Sequence, residues 1–133
     1  MSDCVFCKIA LKEIPSEKIY EDNDVFVFLD LNPVNYGHAL VIPKKHYKNM
    51  TETPEDIMAK VFSTSKKFMK IIQKALNADF VALTVVGTDV PHFHVHVIPR
   101  FFNDGLAGFW PTKKYESGQM KKFADKIRRG VKK

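Results

Sequence analysis

The sequence lacks any apolar run near the roughly 18–20 residues that a membrane-spanning helix needs. Its first residues, MSDCVFCKIA, lack the sustained apolar stretch of a secretory signal. Both absences point to a cytoplasmic protein with no membrane partner. Cysteine is scarce too: Cys4 and Cys7 are the whole complement. In a reducing compartment they read as a thiolate metal pair or as plain buried thiols, rather than as a disulfide. There is no internal repeat, no low-complexity tract and no linker, so 133 residues read as a single folded unit with room for a real core. The body also lacks net positive charge, although the whole chain carries +6. Residues 111–133 hold nine Lys/Arg against Glu116 and Asp125, leaving +7 there and −1 over residues 1–110. A basic tail on a neutral body reads as a solvated helix face. Without interleaved aromatics among its lysines it argues against a nucleic-acid partner.

What is present alternates between strand and helix signals. Residues 5–12 read as a short helix ending before Pro15. Lys18–Glu21 and Val25–Leu29 read as a hairpin joined by the acidic turn Asp22-Asn23-Asp24. Ala39–Pro43, Phe80–Val86 and His92–Ile98 read as three further strands. The strongest helix covers about 54–76, with Thr53 as N-cap, Pro54 in the first turn and an apolar stripe from Ile57 to Leu76. A weaker helix over about 117–129 would turn Met120, Phe123, Ala124 and Ile127 inward. The expected class is α+β: a largely antiparallel sheet of about five strands beside one long helix, with shorter helices at both ends. The domain is expected to occupy 1–110, with 111–133 a basic, helical extension packed on it.

The chemistry concentrates in PHFHVHVIPR, residues 91–100. On a strand, His92, His94 and His96 share one face while Phe93, Val95 and Val97 face the core. Successive histidine Cα atoms then stand about 6.6 Å apart and the outer pair about 13 Å. With Zn–N bonds of about 2.0–2.1 Å, the outer two cannot share an ion, so one three-histidine metal centre is geometrically poor. Three imidazoles on one face still demand a purpose, because each is polar and chargeable near neutral pH. In GHALVIPKKH (37–46), His38 precedes a strand and His46 follows it. If that strand lies beside the triad, His38 approaches its far end and His46 its near end. Two thiolates from CVFC and two imidazoles would complete a tetrahedral Cys₂His₂ zinc site.

HFHVHVI fits the alternating histidine signature of the histidine-triad (HIT) superfamily, and CVFCKIALKEIPSEKIYEDNDVFVFLDLNPVNYGHALVIPKKH resembles its amino-terminal half nearly throughout. The resemblance runs from residue 4 to about 106 and leaves the tail, including Trp110, uncovered. It implies a HIT-like fold, commonly a homodimer, that cleaves the bond between a purine nucleotide's α-phosphate and its leaving group. By that resemblance His94 is the nucleophile, its Nδ1–H held by the carbonyl of His92, and His96 and His38 contact the phosphate. Asp30 matches the residue that bonds the ribose hydroxyls. Phe6, Ile9, Phe28 and Leu29 match the apolar slot around the base, although core packing alone also explains them. Cys4, Cys7, His46 and His92 match the ligands of a structural Zn2+ in the zinc-bearing branch.

One segment departs from the family pattern. Where relatives carry an Asn and a glycine-rich loop ending in Gly-Gln, this chain reads FVALTVVGTDVPH (80–92). Thr88 is left to offer a hydroxyl to the phosphate, and Asp89 would repel it unless turned away. The activity that the resemblance implies is that of a nucleoside 5′-phosphoramidate hydrolase or transferase, with adenosine as the nucleoside. A dinucleoside polyphosphate hydrolase is the alternative enzyme. A nucleotide-binding regulatory module with vestigial activity, and an RNA-associated protein using the basic tail, are the alternatives outside catalysis.

Overall fold

The computed structural model describes residues 3–131; Lys132 and Lys133 of the basic tail lie outside the described residues. Five strands form one antiparallel sheet in the order β1-β2-β3-β5-β4: β1 Lys18–Glu21, β2 Val25–Leu29, β3 Ala39–Pro43, β4 Phe80–Thr84 and β5 Val95–Arg100. Helices α1 (Val5–Ala10), α2 (Glu55–Leu76) and α3 (Gln119–Val131) complete the chain, with a short 3₁₀ turn at Met50–Glu52. The α+β expectation holds. Among the described residues no helix is long and apolar enough to cross a membrane.

Alternation along the central strands builds a core on each face of the sheet. Val25, Val27, Ala39, Val41, Val95 and Val97 pack against Val61, Phe68 and Ile72 of α2. Their neighbours Phe26, Phe28, Leu40 and Ile42 point the other way and pack against Cys4, Phe6, Ile9 and Ala10 of α1. This is why β2 and β3 read as continuous apolar runs: both faces are covered. It also fixes the side of the histidines. With Phe93, Val95 and Val97 committed to α2, the imidazoles of His94 and His96 emerge on the α1 face.

Several boundaries differ from expectation for local reasons. The β3–β5 ladder ends at Val41↔Val95, so His92, in a bend, and His94 precede the strand. Continued, that register would set Ile42 against His94 and Pro43, which has no N–H, against Phe93, and the Pro43 carbonyl is taken by His92 Nε2 at 2.8 Å. Likewise β4 stops at Thr84↔His96, leaving Val85 and Val86 exposed in the loop. Thr53 does not cap α2. Its hydroxyl donates to the Asn49 carbonyl, and Pro54 takes the cap position without a side-chain bond. The largest correction concerns α3: Met120, Phe123 and Ile127 are all exposed, and no residue of that helix is buried.

The turn before β3 is held tightly. Asn35 Nδ2 donates to the Pro99 carbonyl at 2.8 Å and to Asp104, which Arg100 also binds at 2.7 Å. Gly37 adopts φ +98°, and a Cβ there would meet Leu76 Cδ1 at 2.3 Å. The Leu76 methyl can yield, but the backbone conformation cannot be had cheaply by an L-residue. Gly37→Ala is therefore expected to cost about 1–3 kcal/mol, read as a lower urea midpoint at unchanged slope.

Candidate active site

The segment after Val90 is anchored twice. His92 N–H donates to the Val90 carbonyl at 2.8 Å and Phe93 N–H to the Tyr47 carbonyl at 2.7 Å. That anchoring sends His92 toward α1 and the end of β3. His92 Nδ1 lies 3.3 Å from Cys4 Sγ and 3.6 Å from Cys7 Sγ, while His46 Nδ1 lies 3.3 Å from Cys7 Sγ. All four ligand atoms fall within 4.8 Å of one another. Two ligands on a tetrahedral zinc with bonds of about 2.0–2.3 Å stand about 3.4–3.8 Å apart, so the donor set and its spacing fit that ion. His92 Nε2–H is spent on the Pro43 carbonyl, which fixes the ring with Nδ1 toward the sulfurs. Burial pushes His92 down to about 4. Burial and the neighbouring Cys4 push Cys7 up to about 11.

His38 and His96 form a directed chain. The Val34 N–H donates to His38 Nδ1 at 3.0 Å, so neutral His38 carries its proton on Nε2. That nitrogen is 2.9 Å from His96 Nδ1, which must accept, leaving the proton of neutral His96 on Nε2. His38 thus has both nitrogens engaged inside the protein and lies only 3 % exposed. Its Nε2 faces His96, with Asp30 Oδ2 at 3.6 Å, so neither nitrogen of His38 is left free. The same bookkeeping removes Asp30, His38 and His96 as a metal-binding set, close as they are: His38 has no free lone pair.

His94 is oriented by one bond. Its Nδ1–H donates to the His92 carbonyl at 2.7 Å, since a carbonyl can only accept. Nε2 is then the bare lone pair. It is buried and has no hydrogen-bond partner among the described residues. Phe6 stands edge-on to the ring at 5.0 Å, and the His96 ring lies 4.9 Å away. A neutral, held imidazole with a free Nε2 is chemically a nucleophile, and the Nε2–H of His96 beside it is a donor for an anionic oxygen.

Next to this pair opens a cavity of about 250 Å³, with Phe6, Ile9, Phe28 and Leu29 as apolar walls and Asp30 at its edge. Phe6, Ile9 and Phe28 therefore serve both readings at once, being core residues whose outer surfaces line a slot. Thr88 is not brought in; it is exposed and does not line this cavity. Asp89 and Val90 line it instead, with Asp89 Oδ1 3.3 Å from His94 Nε2 but off the line of a hydrogen bond. Ile14, Pro15 and Ser16 also contribute to the wall. They follow α1 in a loop with no periodic signal to mark them. A second cavity of about 300 Å³ reaches His94 from the side of Lys48, Asn49 and Gly87.

Burial lowers the pKa of both His38 and His96, with His96 adding to the effect on His38 and His94 to that on His96. A histidine depressed in the folded state contributes stability above its unfolded pKa of about 6.5, and that contribution is lost as pH falls below it. The urea midpoint is expected to decline between pH 7 and 5, and less steeply in His96→Gln.

The family described as HIT domain matches residues 11–103. An uncharacterised HIT-like protein of Methanocaldococcus jannaschii is 43% identical over 107 residues, covering 77% of this chain and 82% of that one. Adenosine 5′-monophosphoramidase HNT1 of Saccharomyces cerevisiae is 32% identical over 126 residues, covering 90% and 77%. Among solved structures, a Zn-bound histidine triad family protein from Mycobacterium smegmatis superposes with a TM-score of 0.76 at 30% identity, covering 98% of each chain.

Proposed function

The chain belongs to the HIT family, and from that premise we propose that it is a nucleotidyl hydrolase or transferase acting on nucleoside 5′-phosphoramidates, adenosine first among them. The single observation that carries this is the bare, buried Nε2 of His94, with Nδ1–H fixed on the His92 carbonyl. In the proposed reaction the base lies between Phe6, Ile9, Phe28 and Leu29, and Asp30 accepts from the ribose hydroxyls. His94 Nε2 attacks the α-phosphorus as the bond to the leaving nitrogen breaks, the nitrogen taking a proton from solvent and departing as the amine, giving a nucleotidyl-histidine. Water then cleaves the N–P bond. His96 Nε2–H donates to a non-bridging oxygen, and His38 holds His96 in the tautomer that makes this donor.

The same reading assigns one structural Zn2+ to Cys4, Cys7, His46 and His92. The ion would tie α1 to the end of β3 and to the residue whose carbonyl orients His94. The fitting donor distances support it, as does the Zn-bound relative. The wider layout belongs to the proposal as well: a cytoplasmic homodimer whose domain spans 1–110, with residues 111–133 as a basic extension and no nucleic-acid or membrane partner.

Two alternatives are separable. A dinucleoside polyphosphate hydrolase would use the same nucleophile, and kcat/KM for adenosine phosphoramidate is expected to exceed that for a diadenosine polyphosphate. The reverse order would favour the alternative. A binding module with vestigial activity is favoured by one observation, the Asp89 carboxylate over the nucleophile. It predicts nucleotide binding without turnover of either substrate.

A further inference from the structure

A carboxylate stands beside the bare Nε2 of His94 without hydrogen-bonding to it. Asp89 Oδ1 lies 3.3 Å from Nε2, the nitrogen that the His92 carbonyl leaves bare. An oxygen of the same side chain falls within 4.8 Å of a ring nitrogen of His96. The residue also lines the nucleoside cavity, whose other acid is Asp30 and whose wall, among the described residues, holds no lysine or arginine. Burial raises the Asp89 pKa, but the N–H groups of Val90 and Asp89 itself, with His94 and His96, outweigh it and keep the group ionised. The side chain is 57% exposed, on a loop outside the β4–β5 ladder. Gly87 in that loop adopts φ +79°. Asp89 can therefore swing clear of an arriving phosphate without breaking the sheet, yet stay beside it.

We infer that Asp89 is a specificity-determining residue that selects on the charge of the leaving group, favouring nucleoside monophosphates joined to a neutral or cationic amine over those joined to phosphate or sulfate. The inference rests on the reading of His94 as nucleophile. Phosphorus bound to His94 Nε2 brings everything attached to it within a few ångströms of the carboxylate. One non-bridging negative charge is answered by His96 Nε2–H. A leaving group with charge of its own finds no fixed cation in the nucleoside cavity among the described residues. Coulomb's law at roughly 6 Å, with an effective dielectric between about 20 and 80, makes each added negative charge cost about three- to hundred-fold. A cationic amine gains over the same range. The fixed cation nearest the other approach is Lys48, on the wall of the second cavity, and it supplies the opposing explanation.

The test compares kcat/KM for three kinds of adenosine 5′-phosphoryl compound: the unsubstituted phosphoramidate, a phosphoramidate of a lysine-like amine, and adenylyl sulfate with diadenosine triphosphate. It is run on the wild type, Asp89→Asn, Asp89→Glu and Lys48→Met. Asp89→Asn is expected to raise the anionic-to-neutral ratio about tenfold and to lower the cationic-to-neutral ratio. Asp89→Glu is expected to keep both ratios near wild type. Ratios unmoved in Asp89→Asn overturn the inference, as does a shift in Asp89→Glu equal to that in Asp89→Asn. So does an anionic-to-neutral ratio that falls only in Lys48→Met. If the wild type forms a nucleotidyl adduct on His94 while the ratios stay fixed, only this inference fails. If no substrate gives an adduct, the assignment of the nucleophile fails with it.

Discussion

His94→Ala is expected to lower kcat on adenosine phosphoramidate on the order of 10⁴-fold, the scale on which removing a covalent nucleophile acts. KM should change far less, because the nucleoside walls Phe6, Ile9, Phe28 and Leu29 do not depend on that ring. The fold should survive. Truncating a buried ring leaves a gap beside Phe6 and His96. It also removes a buried nitrogen with no hydrogen-bond partner, which costs the native protein about 1–3 kcal/mol. The two effects oppose each other, so the variant should unfold within a few degrees of the wild type. Single-turnover kinetics beside thermal unfolding check both halves. Collapse of the fold together with activity would make His94 a structural residue first.

Breaking the Cys4, Cys7, His46, His92 cluster is expected to have the second-largest effect. Removing the metal with a strong chelator, or replacing Cys4 by Ala, should lower the unfolding midpoint by about 10 °C. That corresponds to a loss of about 2–4 kcal/mol in a domain of this size. The domain keeps two apolar cores of its own, so it should weaken rather than unfold as a zinc finger does. Activity should fall as well, because the cluster fixes His92 and the His92 carbonyl fixes His94. Cys4 also accepts the Cys7 N–H at 3.4 Å at the start of α1, so its loss loosens that helix too. Metal analysis of the untreated protein should find one zinc per chain. A ratio near zero, with a midpoint indifferent to chelator, would contradict the assignment.

Much of the site was readable because alternation carries it. Apolar Phe93, Val95 and Val97 force their neighbours onto one face, and the two histidines of GHALVIPKKH bracket β3. From this the structure brings His38 to His96 and His46 to His92, ring centroids 5.1 Å apart in each case. What pattern could not give was direction of hydrogen bonding. Nothing in sequence says that the Val34 N–H occupies His38 Nδ1 and that His38 Nε2 turns to His96. Ladder ends were missed for a related reason: side-chain demands, such as His92 on the Pro43 carbonyl, compete with strand pairing. In the loop after β4, the sequence marked Asp89 as a misfit but could not place it on His94. The stripe on α3 was misread because helical spacing says which residues share a face, not whether anything covers it.

The most direct measurement is intact-protein mass spectrometry of the chain mixed rapidly with adenosine phosphoramidate. The account predicts a transient gain of one adenylyl group, mapped to His94 and absent from His94→Ala. Turnover with no such adduct, or an adduct that persists in His94→Ala, would contradict it.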